Sequence, residues 1–262
     1  MPLVDDIDVR ERTYTECRDV LHQEEVDELN AAIAQSSRGK QPVVDRLVAR
    51  AYLRRVLAEY PTMTASPCDL VFSRNKHGKP ELVCGDAPSP IRFNLTHTRG
   101  VVGVAVSTEN AIGIDVEAQA RETREMKLAQ KYFSQDELAV LQDIPPGPER
   151  RSMFVRIWTL KEAYVKAIGR GIGAHPGMSS FGFVLDIAHQ QIDFRPSDKE
   201  PCTRDCWFFQ LVEPLPGYVG ALCAEGGHTV HTFTTHHLTS EPVLTGHHMP
   251  LLAQSSPCHP IQ

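Results

Sequence analysis

The sequence predicts an α+β protein in which each half of the chain offers helix and antiparallel strand, a pattern that permits two subdomains with a cleft between them. Residues 43–60 carry Val44, Leu47, Val48, Ala51, Tyr52 and Val56 at helical spacing. VVGVAVS at 101–107 and AIGIDVE at 111–117 are β-rich runs. A long helical stretch at 149–168 is followed by four strand-like segments, 181–187, 191–194, 206–213 and 218–224. At 262 residues the chain is long enough for a sizeable core.

In chain order, residues 22–36 read as a short polar helix. Pro61 should stop the helix of 43–60. A strand near 69–73 runs into the turn NKHGKP, which places Lys79 on a tight bend, and 91–95 reads as a further short strand. The runs 101–107 and 111–117, separated by Thr108, Glu109 and Asn110, read as a hairpin. In its second strand Ile112, Ile114 and Val116 share the core face, and Gly113, Asp115 and Glu117 share a more open one. Residues 119–130 suit a connector or the start of a helix. Ser134 and Glu137 bracket an S-x-x-E capping box ahead of Leu138 and Leu141, and IPPGP at 144–148 breaks the chain before the long helix. Gly169 or Gly171 can supply its left-handed cap. Residues 225–262 hold seven of the twelve histidines with little periodicity and read as a flexible terminus. The expected domains are an N-terminal subdomain at 1–118, a C-terminal subdomain at 119–228 and a histidine-containing tail at 229–262.

Composition narrows the function classes. A formal charge of −6 argues against general nucleic-acid binding, so an anionic ligand must be held by local basic groups. One such group is Arg38, Lys40, Arg46, Arg50, Arg54 and Arg55. Seven cysteines without a CxxC pair point to reduced thiols and a cytoplasmic location, and Cys202 and Cys206 lack the second pair of a zinc site. The sequence offers neither an apolar signal core nor a run of 18 apolar residues, so membrane spanning is not expected.

Three carboxylates organise the candidate chemistry. Asp115 and Glu117 lie two apart on a strand, so their repulsion needs a cation or a basic group to offset it. Glu162 shares a helix stripe with Trp158 and Lys166, with Lys161 beside it. An indole on that stripe suggests a half-buried cleft wall rather than a wet surface. If strand and helix meet, three hard oxygen donors converge beside two lysines, a set suited to Mg²⁺ with substrate phosphate. His97, between Thr96 and Thr98 in RFNLTHT, can bond a phosphate oxygen or exchange a proton. Glu137 has two readings, a cap that satisfies a backbone donor or a carboxylate that takes a proton from an attacking hydroxyl.

In order, the chain reads GKP, FNLTHT, GIDVE, YFSQDE and WTLKEAYVK. This series resembles the 4′-phosphopantetheinyl transferase superfamily, in its larger, monomeric type, over roughly residues 40–224. The hallmark is G-[IV]-D-[IVL]-E followed by W-x-x-K-E-x-x-x-K, and both parts are present, at 113–117 and 158–166. The resemblance implies a pseudo-twofold pair of α/β subdomains with antiparallel sheets and coenzyme A between them. The implied activity is that of a holo-[acyl-carrier-protein] synthase: phosphopantetheine passes from coenzyme A to a serine of an apo acyl carrier protein or a peptidyl or aryl carrier domain, leaving adenosine 3′,5′-bisphosphate. Positions matching Asp115, Glu117 and Glu162 would hold Mg²⁺, with Mn²⁺ as the alternative. Those matching Lys79, His97 and Lys166 would approach the coenzyme phosphates, Lys161 would join them from the helix, and Glu137 falls on a position proposed as general base. Arg46 and Arg50 on the early helix are candidates for the 3′-phosphate or adenine. Thr96 stands where serine is common and keeps the hydroxyl. The rival readings are a non-catalytic module that binds carrier proteins or coenzyme A, and a metal-dependent coenzyme A phosphohydrolase.

Overall fold

Helix α1 (Gln23–Gln35) and helix α2 (Gln41–Ala58) open the fold, close to their expected bounds. α2 ends three residues before Pro61, and it buries Leu47, Val48, Ala51, Tyr52 and Leu57. The computed structural model describes residues 17–35, 41–85, 87–98, 100–108, 110–120, 124–169, 177–197, 206–226, 234–237, 243–245 and 251–255. Arg38 and Lys40 lie outside them, as does Cys202. Among the described residues Cys17, Cys68, Cys84, Cys206 and Cys223 form no disulfide, and no helix is long and apolar enough to cross a membrane.

Strands β1 (Val71–Arg74), β2 (Pro80–Cys84) and β3 (Ala87–Pro88) form a small antiparallel sheet. Strands β4 (Arg92–Thr98) and β5 (Val101–Ser107) are an antiparallel hairpin, and Gly100 before β5 takes φ 78°. The interior of β5 is buried on both faces: Val102, Val104 and Val106 pack in the α2 core, and Ala105 meets Ile112, Ile114 and Leu222 on the other side.

Strand β6 (Ile112–Ala118) does not complete the hairpin expected with β5. It pairs with β10 (Tyr218–Glu225) from Ala118–Tyr218 to Ile112–Ala224. The correction has a physical cause. Both edges of β5 are occupied, one by β4 and the other by β11 (Thr234–His237), and β6 must turn its acidic face to a helix instead. The expected boundary at 118/119 falls at the end of this strand, so segments on either side of it share one ladder.

Helix α3 (Glu125–Tyr132) replaces the undecided connector, and helix α4 (Gln135–Asp143) begins with the full capping box. Helix α5 (Pro148–Ile168) has proline in its first turn and ends on Gly169, at φ 68°. It lies on a six-stranded sheet ordered β6, β10, β9 (Trp207–Val212), β13 (Leu251–Ser255), β8 (Gln191–Arg195), β7 (Gly182–Asp186). Tyr164 anchors it there, with its ring centroid 4.8 Å from that of Phe181, 5.0 Å from Phe194 and 5.1 Å from Trp207.

The flexible terminus expected at 229–262 is corrected where that segment is described. β11 pairs with β5 and with β12 (Val243–Thr245), and β13 inserts between β9 and β8. Phe209 N donates to Ser255 Oγ at 3.0 Å, which fixes that insertion. Both edges of β13 are taken by neighbouring strands, so this part is sheet interior. His228, His231, His247, His248 and His259 lie outside the described residues.

Candidate active site

Alternation along β6 sends Gly113, Asp115 and Glu117 toward α5. Gly113 is what lets the helix come close. A Cβ built there would sit 2.0 Å from Ala163 O and 2.5 Å from Ala167 N. A glycine inside a strand pattern signals such an approach, and the sequence offered that signal within GIDVE. The acidic face is therefore covered by a helix backbone at its glycine end, and Asp115 is only 4% exposed, rather than lying on an open face.

The helix stripe meets that strand. Lys166 Nζ lies 2.6 Å from Asp115 Oδ1 and donates to Thr96 Oγ1 at 3.2 Å, while Thr96 Oγ1 donates to the same Asp115 oxygen at 3.1 Å. Asn94, on the same face of β4 as Thr96, accepts from Ile114 N at 2.9 Å and pins β6 in place. Period-two alternation in FNLTHT puts Asn94 and Thr96 together, although asparagine was not singled out from the sequence. Glu162 is buried one turn before Lys166. Burial, together with Asp115 and Glu117, overcomes the opposing Lys166 charge and pushes its carboxyl up to about 7. Trp158, on the same stripe, is half-buried and stacks on Phe154 at 5.9 Å.

Among the described residues, no three His, Cys, Asp or Glu side chains are grouped as a ready ligand set for a metal ion. The donor chemistry still fits a hard divalent cation. Asp115 Oδ2 is buried without a hydrogen-bond partner, and Asp115 and Glu117 both raise the cost of ionising Glu162.

A prediction follows from Glu162. Its folded pKa lies above its ordinary value of 4.5, so its contribution to stability is full below about pH 4.5 and lost as pH rises through about 7. Without divalent cations, this loss is expected to reach about 3 kcal/mol by pH 8. Thermal melts from pH 5 to 8 should show the decline, Glu162→Gln should flatten it, and Mg²⁺ at pH 8 should reverse much of it in the unsubstituted chain. A flat profile would show that Glu162 ionises at its ordinary pH.

Two expected site residues, a coenzyme ligand and a general base, have other employment. Lys161 is fully buried, forms an ion pair with Glu137 at 2.8 Å, and donates to Met178 O at 2.8 Å and Phe181 O at 2.6 Å. It cannot reach a bound phosphate, which corrects its place among the coenzyme ligands. Glu137 is 2% exposed. It accepts from Ser134 N at 2.7 Å and Phe183 N at 2.9 Å, so the capping reading describes it and the general-base reading does not. Burial pushes the Glu137 carboxyl up and the Lys161 ammonium down, and each draws the other back toward its charged form.

Lys79 is also placed differently. Its ammonium donates to Lys166 O at 2.6 Å and to Ile112 O and Ala167 O, each at 3.2 Å. These backbone partners replace the expected phosphate contact.

A cavity of about 430 Å³ lies on the other face of β4. His97 lines it with Leu95, Arg46, Arg50, Arg54 and Arg74. Arg50 pairs with Glu28 at 3.2 Å and Arg54 with Glu25 at 2.7 Å, so part of this basic wall is neutralised within the protein. The structure thus brings His97, Arg46 and Arg50 together, and it sets them apart from Asp115, Glu162 and Lys166 by one strand thickness. Arg74 was missed in the sequence because it stands alone before the turn, away from the arginines of α2.

The sequence pattern of the 4′-phosphopantetheinyl transferase superfamily matches residues 111–223, the stretch from β6 through α5 to β10. A putative 4′-phosphopantetheinyl transferase of Synechocystis sp. is 36% identical over 126 residues, which is 48% of this chain and 50% of that protein. The 4′-phosphopantetheinyl transferase gsp of Aneurinibacillus migulanus is 30% identical over 184 residues, 70% of this chain and 67% of its own length. Psf-1 of Bacillus pumilus, of the same description, is 30% identical over 178 residues, 68% of this chain and 69% of that protein. The chain spans half the length of the Synechocystis relative and about two thirds of the other two. The strand–helix pair that carries Asp115, Glu162 and Lys166 lies inside the matched region, and by these likenesses the chain belongs to the 4′-phosphopantetheinyl transferase superfamily.

Proposed function

We propose that this protein transfers 4′-phosphopantetheine from coenzyme A to a serine of an apo carrier protein, releasing adenosine 3′,5′-bisphosphate. The observation that supports the reading best is the contact of Lys166 and Thr96 with Asp115, beside the buried Glu162. The serine oxygen forms a bond to the β-phosphorus, and the bond from that phosphorus to the bridging oxygen breaks. The Lys166 ammonium neutralises charge that grows on the leaving phosphate. The hydroxyl proton passes to a carboxylate oxygen on the face of Asp115, Glu117 and Glu162, since Glu137 is engaged elsewhere. Asp115, Glu117 and Glu162 would hold Mg²⁺ or Mn²⁺, which supplies charge neutralisation at the pyrophosphate.

Arg46, Arg50 and His97 bind the anionic adenosine end in this reading, with phosphate oxygens accepting from the guanidinium groups. β4 ends one residue after His97. A ligand that touches both His97 and Lys166 would therefore wrap that strand end. Residues 1–118 and 119–228 act as the two subdomains, and the protein works as a cytoplasmic monomer on carriers of fatty-acid, polyketide or peptide synthesis.

Incubation with coenzyme A, Mg²⁺ and a panel of apo carriers tests the reading. The expected result is a carrier serine heavier by one phosphopantetheine group. Asp115→Ala and Glu162→Ala should each fall below about 1% of the parent rate, the scale of losing a principal charge-stabilising group. Coenzyme A cleavage without a carrier would replace transfer with hydrolysis, and full activity in both variants would remove the cation assignment.

A further inference from the structure

The turn before β2 is built to hold one side chain against the far end of α5. Asn75 Oδ1 accepts from His77 N at 2.9 Å and Lys79 N at 3.0 Å, and Asn75 N donates to Lys79 O at 2.9 Å. Gly78 takes φ 87°, and Arg74 Nη1 donates to its carbonyl at 3.0 Å. The turn then docks on the helix end. Asn75 Nδ2 donates to Gly169 O at 3.4 Å, and a Cβ at Gly169 would lie 3.1 Å from Lys79 Cδ.

Three carbonyls converge on the lysine ammonium. Lys166 O and Ala167 O belong to the last turn of α5, whose carbonyls have no partner within the helix and carry the negative end of its dipole. Ile112 O opens β6. The ammonium thus bridges helix and strand where Gly113 admits Ala163 and Ala167. Lys166 supplies one of these carbonyls, and its own side chain reaches Asp115, three residues along β6 from Ile112.

We propose that Lys79 is a positioning residue: it stitches the end of α5 to the start of β6 and thereby holds Lys166 on Asp115. All three of its donors meet carbonyl oxygens, a full complement for an ammonium. It lines a cleft with Asn75, Arg92 and Glu225 and does not line the cavity of His97, Arg46 and Arg50. Burial pulls its pKa down to about 8, against the pull of Cys223 and Glu81, as fits an ammonium held away from water.

The kinetic part of this inference rests on the transfer reading above, and the structural part does not. Lys79→Met and Lys79→Arg in the full chain separate the two. Without any substrate, Lys79→Met should exchange its amide hydrogens at 113–115 and 166–169 at least about tenfold faster, with α2 unchanged. In the carrier assay its kcat should fall about tenfold while KM for coenzyme A moves less than about twofold. Lys79→Arg, which keeps several donors, should recover most of both losses. Unchanged exchange with a KM for coenzyme A raised about tenfold would make the ammonium a coenzyme ligand and overturn the proposal. If Lys79→Met does not fold, Lys79→Arg decides. Near-parent exchange and KM uphold the stitch, whereas a raised KM with parent-like exchange defeats it. A parent chain that modifies no carrier would sink the transfer reading alone, because the exchange result still judges the stitch.

Discussion

Gly113→Ala is expected to abolish carrier modification and to lower stability by about 3 kcal/mol, the upper end of ordinary overpacking. The added methyl has no room, because its position falls 2.0 Å from Ala163 O and 2.5 Å from Ala167 N. Both are backbone atoms, so no rotamer change relieves the clash and α5 must move off β6. Moving the helix withdraws Glu162 and Lys166 from Asp115 together, which is why activity should fall further than stability. Circular dichroism melts and the carrier assay measure the two effects. A variant with parent-like activity would show that the helix does not need to sit so close.

Lys161→Met is expected to cost about 4 kcal/mol, the usual scale for removing one partner of a buried ion pair. Melting should drop by about 10 °C in a chain of this size. Glu137 would remain 2% exposed without its cation, and Met178 O and Phe181 O would lose their donor. Adding Glu137→Gln should restore part of the loss, since the amide oxygen can still accept from Ser134 N and Phe183 N. Glu137→Gln alone should keep the acidic limb of the pH–rate profile. Disappearance of that limb would return Glu137 to the role of base.

The long helix, its glycine cap and the Ser134–Glu137 box were legible because each depends on residues within a turn or two of one another. The pairing of Lys166 with Asp115 was legible in outline, since period 2 on the strand and period 3.6 on the helix each leave one chemical stripe. The partner of β6 was not. Thr108 to Asn110 suit a hairpin turn, and only the filled edges of β5 decide against it. The two lysines beside the site were misassigned for a related reason. Lys79 was assigned through the resemblance of its GKP turn and Lys161 through its place beside Glu162, whereas the choice for both is set by carbonyls 17 to 88 residues away.

Strand β6 is hydrogen-bonded along β10, yet it is also tied to β4 through Asn94 and Thr96. A strand held in common gives no hinge within residues 112–118, so closure of one side on the other does not pivot there. Asp115, Thr96 and Lys166 are thereby held in contact before any ligand arrives. On the proposed reading, the entropy lost in forming the productive complex comes mainly from the flexible arm of the coenzyme and the carrier segment around its serine.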